Sequence, residues 1–114
     1  MDEMAQFISN LNVARFVDKL KLEHEPTRWA ILQKLLIEEE DKFGRNAERL
    51  SKLQRHITES NRRIGLQKAV IERLRANGYD IRLAETTLTN LFEIQRIFKH
   101  RRQAVLDAMD RDRS

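Results

Sequence analysis

Apolar residues recur every seven positions through the middle of the chain, at Trp29, Leu36, Phe43, Leu50, Ile57, Ile64 and Ile71. With these as heptad a positions, d falls on Leu32, Glu39, Asn46, Leu53, Ser60, Gln67 and Leu74. A period held this long is a coiled-coil seam. A second series follows, with d at Ala84, Leu91, Phe98 and Val105 and a at Ile81, Leu88, Gln95, Arg102 and Met109. Pro26 suits the first turn of a helix, where its missing N–H is not needed. In Asn77-Gly78-Tyr79-Asp80, Gly78 can end a helix in the left-handed conformation and Asp80 can cap the next one. The pattern predicts helices over 9–23, 26–77 and 81–109.

Gly44 interrupts the middle run. An isolated Gly costs about 1 kcal/mol against Ala in a helix and is often tolerated. Phe43 and Leu50 keep their step across it and no second turn-former accompanies it. The expected form is therefore one continuous helix, roughly 78 Å long. A break at Gly44 would instead give two helical hairpins stacked as a compact bundle.

The two seams can be tested against each other, because facing residues in an antiparallel coiled coil share a constant sum of residue numbers. Ile71 with Ala84, Ile64 with Leu91, Ile57 with Phe98 and Leu50 with Val105 all sum to 155, as do Ser60 with Gln95 and Gln67 with Leu88. Half that sum falls at the Asn77-Gly78 turn. Val13 with Leu36, Val17 with Leu32 and Leu20 with Trp29 sum to 49, centred just before Pro26.

The expected fold class is all-α: a long central coiled-coil helix with antiparallel helices folded back at both ends as helical hairpins, assembling into an oligomeric bundle. It forms a single domain over 1–114, divided into a flexible tail (1–8), an N-terminal helical hairpin (9–44), an antiparallel coiled-coil hairpin (45–110) and a short tail (111–114). Leu66, Val70, Ile94 and Ile97 lie off the seam, where two helices alone would leave them in water. They are the expected self-association face of a homodimer.

Composition agrees with this architecture. Charged residues make up 35% of the chain, while 3 Gly and 1 Pro are too few turn-formers for a multi-stranded sheet. The absence of Cys excludes disulfides, thiolate metal sites and cysteine catalysis, and suits a reducing compartment. The most apolar stretch, 30–37, contains Gln33 and Lys34 and falls far short of the ~20 residues of a membrane span. The acidic start lacks the apolar run of a secretory signal, so the expected location is the cytoplasm.

Candidate chemistry is sparse. His24, His56 and His100 include no i, i+4 pair and no Glu-x-x-His, so helical zinc and di-iron ligand sets are missing. No serine sits in a Gly-flanked elbow, and there is no Gly-rich phosphate loop. A non-enzymatic protein without metal or cofactor is expected. The acidic run Glu38-Glu39-Glu40-Asp41 reads as a solvated helix face in which only Glu39 points inward, opposite Asn10.

Charge is unevenly placed: residues 1–44 carry 6 basic and 9 acidic side chains, residues 45–114 carry 16 and 9. The hairpin register gathers Arg55, Arg62, Arg63, Lys99, Arg101 and Arg102 into a basic patch. Such a patch could attract phosphate backbones or an acidic protein surface. It could equally meet the chain's own acidic run near Gly44. No stacking aromatics and no helix-turn-helix spacing accompany it.

Two stretches carry patterns of helix and turn residues that resemble known small proteins. The first comprises Asn12, Arg15-Phe16, Leu20, Glu23, Arg28, Leu32, Leu35-Leu36, Glu38-Glu39-Glu40 and Lys42. It is similar to short helical-hairpin proteins that end in an acidic run. The second comprises Ile57, Arg63-Ile64, Gln67, Ile71, Leu74, Gly78, Asp80, Ala84-Glu85, Leu88 and His100-Arg101. It looks like another small helical family with a Gly-x-Asp turn. Both are small helical proteins of alphaproteobacteria, particularly rhizobial ones, and the resemblance implies fold and bacterial origin and leaves function open. The expected function is a self-associating interaction or scaffold module with a protein partner; the alternative is a small nucleic-acid-binding protein using the basic patch.

Overall fold

Each predicted turn is built from the residues that announced it. Glu25 caps the helix begun by Pro26, its carboxylate accepting the Thr27 and Arg28 N–H groups at 3.0 and 2.8 Å. At the other turn Gly78 takes φ 75°, so the Tyr79 N–H reaches the Leu74 carbonyl and the Gly78 N–H that of Arg75. This double closure satisfies two helix-end carbonyls and requires the left-handed glycine. Asp80 then accepts the Arg82 N–H at 3.0 Å.

The computed structural model describes residues 3–42 and 44–113, residue 113 by its backbone alone. These form four helices and no strand: α1 (Glu3–Leu22), α2 (Pro26–Glu40), α3 (Asn46–Ala76) and α4 (Arg82–Arg113). Helix α1 takes in residues 3–8, and α4 takes in 111–113, both expected as tails. Residues 1, 2 and 114 of those tails, and the seam residue Phe43, lie outside the described residues.

The continuous central helix is overturned. Gly44 has φ 103°, a conformation that L residues rarely adopt, and α2 and α3 are separate helices. The molecule is accordingly a bundle of two stacked hairpins, 56 × 26 × 24 Å with a radius of gyration of 16.0 Å. Helix α3 packs on α4, α1 on α2, and α1 also on α4. Val13, Val17, Leu20 and Leu36 of the first hairpin join Leu53, Ile57, Ile64, Leu91, Ile94, Phe98 and Val105 of the second in one core. Burial of apolar area at about 25 cal/mol per Å² favours this closure over an extended rod. Asn90 fastens the stack by donating to the Lys21 and Glu23 carbonyls at the end of α1.

Inside the second hairpin, Gln95 donates to Ser60 Oγ at 3.0 Å, a pair the sum of 155 places face to face. In the first, Glu39 receives Asn12 Nδ2 at 3.2 Å on its carboxylate and the Ser9 hydroxyl on its carbonyl, rather than the expected Asn10. The 31 residues of α3 outreach the 20 of α1 by about 16 Å. Leu66, Val70 and Leu83 near the tip of the second hairpin stay exposed.

Candidate interaction site

The acidic run closes α2 at its C-terminus, where the helix dipole is already negative and no basic residue occupies the last turn. Cations from the other hairpin compensate. Lys52 donates to the Glu40 carbonyl at 3.1 Å and stands 3.8 Å from its carboxylate. Arg49 and Arg101 both bind Asp41. His56 stacks on Phe98 with ring centroids 4.9 Å apart and brings Nε2 to 3.3 Å from Glu40.

Glu40, not Glu39, is the most enclosed member of the run, at 1% exposure. Neither of its carboxylate oxygens, nor His56 Nε2, finds a well-aligned hydrogen bond among the described residues. The cluster is a neutralised junction that holds the Gly44 turn closed. Among the described residues no three metal-ligating side chains come together. His24 and His100 are exposed and remote from this junction.

This arrangement draws on the basic patch. Arg101 is spent on Asp41, Arg62 on Glu59, and Arg63 on Glu59 and on Asp18 of α1 at 2.7 Å. Partial burial pushes the Asp18 carboxyl up, but the hydrogen bond and charge of Arg63, with Lys21, outweigh it and hold the group below its ordinary value. Arg55, Lys99 and Arg102 have no ion pair among the described residues.

The expected self-association face is divided. Ile94 is 1% exposed inside the shared core and Ile97 is partly buried against it. The first hairpin covers them within the same chain. Leu66 and Val70 remain open on α3, so the four residues form no common outer surface.

A larger apolar surface lies elsewhere. Met4, Phe7, Ile8, Leu11 and Leu22 project from α1 opposite its buried Val13, Val17 and Leu20, and Ile31 and Leu35 project from α2. Each of the seven is 39–64% exposed. Together they form the most extensive group of exposed large apolar side chains on the first hairpin, of the kind that marks a contact with another protein surface. Leu22, Ile31 and Leu32 line one open groove of about 600 Å³ at the α1–α2 turn, edged by Asp18, Lys19, Glu23 and Arg28. The sequence carries a signal for this face that the seam reading passes over: positions 4, 8, 11, 15, 18 and 22 alternate steps of four and three, a second heptad on the back of α1.

No described helix is long and apolar enough to cross a membrane. Compared with known protein families, with curated proteins and with solved structures, the chain matches none.

Proposed function

We propose that the protein is a non-enzymatic interaction module, built on a coiled-coil hairpin, that works as a homodimer and offers its elongated surface to a protein partner. The observation that carries this reading is the outer face of the first hairpin. Seven large apolar side chains stay in water there although the chain has folded a complete core of its own. Such a surface is stable in solution when another protein surface covers it. A cytoplasmic site of action belongs to the same reading.

Light scattering at tens of micromolar tests it: the mass of two chains is the expected result, and a monomer refutes it. The alternative, phosphate-backbone binding, draws on Arg55, Lys99 and Arg102. It demands an affinity that falls steeply with salt, because each neutralised phosphate releases counterion. Apolar docking changes little with salt, so a pull-down washed at low and high salt separates the two.

A further inference from the structure

We propose that α1 is the dimer contact, packed antiparallel on α1 of a second copy across a two-fold axis, with Leu11 facing Leu22 and Arg15 facing Asp18 of the other chain. This rests on the self-association reading above and names its surface. Met4, Ile8, Leu11, Arg15, Asp18 and Leu22 are all exposed and form an a/d stripe on one face of a 20-residue helix.

Two-fold symmetry restricts how this stripe can meet itself, since facing residues must share one sum. A sum of 26 sets Arg15 against Leu11 and Asp18 against Ile8, burying charges on apolar side chains. A sum of 19 likewise buries Arg15, against Met4. A sum of 33 pairs Arg15 with Asp18 twice and Leu11 with Leu22 twice, so that every layer within the overlap of the two α1 helices is matched. It also brings Ile8 level with residue 25 of the second copy, at the height of the groove lined by Leu22, Ile31 and Leu32. The apolar end of each α1 would then fill the other copy's groove. Among the described residues Arg63 and Lys21 both approach Asp18 Oδ1, which leaves Oδ2 for this contact.

The test uses the full chain, which has no native cysteine. Sedimentation of the wild type should show a dimer, and Leu11→Glu should weaken it at least tenfold with unchanged circular dichroism. Arg15→Asp should weaken it similarly, by setting two carboxylates face to face, again with unchanged circular dichroism. Under mild oxidation the double variant Leu11→Cys, Leu22→Cys should give a covalent dimer, and Leu11→Cys alone should not. A wild-type monomer overturns the self-association reading and this contact together. A wild-type dimer that survives Leu11→Glu, resists cross-linking through residues 11 and 22, or is lost instead on Leu66→Glu overturns the α1 contact and leaves self-association standing.

Discussion

Replacing Gly44 by Ala isolates backbone strain from side-chain crowding. A Cβ at Gly44 would lie 3.5 Å from Arg49 Cγ, Glu48 Cβ and Glu48 Oε2, ordinary contact distances. The cost is therefore conformational: φ 103° is sparsely populated for any L side chain, at about 1–3 kcal/mol. Ala also narrows the unfolded ensemble, which returns about 0.4–1 kcal/mol. The net expectation is a loss of about 1–2 kcal/mol. Gly65 supplies the control, since it lies within α3 and a Cβ there meets nothing within 4 Å. Gly65→Ala should gain about 0.5–1 kcal/mol. Urea unfolding of both variants beside the wild type reads the two signs, with m unchanged if only stability has moved. A Gly44→Ala variant that stabilises as Gly65→Ala does would refute the turn.

Ile94→Ala should cost about 2–5 kcal/mol because it opens a cavity in the shared core, whereas Leu66→Ala should stay within about 0.5 kcal/mol; equal losses by thermal unfolding would contradict the division of the off-seam residues. Glu40→Ala should cost about 3 kcal/mol by leaving Lys52 enclosed without its carboxylate, and Glu40→Met combined with Lys52→Met should cost less than about 1 kcal/mol, both read from urea midpoints. Hydrogen bonds from the Thr27 and Arg28 N–H groups hold the Glu25 carboxyl below its ordinary value of 4.5. The stability it contributes is complete above that value and is lost as the pH falls through the lowered pKa. Glu25→Gln should therefore flatten the acid limb of the melting temperature against pH; an unchanged limb would rule out the cap as its source.

Much of the local order is legible in the residues. Pro26, Gly78 and Asp80 act within a few residues of themselves, and the heptad steps record a helix face by spacing alone. Both turns, and the facing of Ser60 with Gln95, follow from those short-range rules. The enclosed member of the acidic run does not: Glu39 and Glu40 are neighbours about 100° apart on one helix. Glu40 is enclosed because Lys52 and His56 arrive from α3, and no pattern within α2 announces them.

Gly44 shows the same boundary at the scale of the fold. A lone glycine inside an unbroken repeat is compatible with a continuous helix and with a turn, and local propensity separates them by only about 1 kcal/mol. The outcome is set by distant groups. Breaking the helix lets Val13, Val17 and Leu20 share a core with Leu91 and Ile94, and lets Arg49, Lys52 and Arg101 neutralise the acidic end of α2. It also turns Ile94 inward and the back of α1 outward. Periodicity could reveal that each helix has an apolar face; which face meets the core and which meets water depends on how the hairpins stack, a sum of long-range burial and ion pairing that no short window of sequence contains.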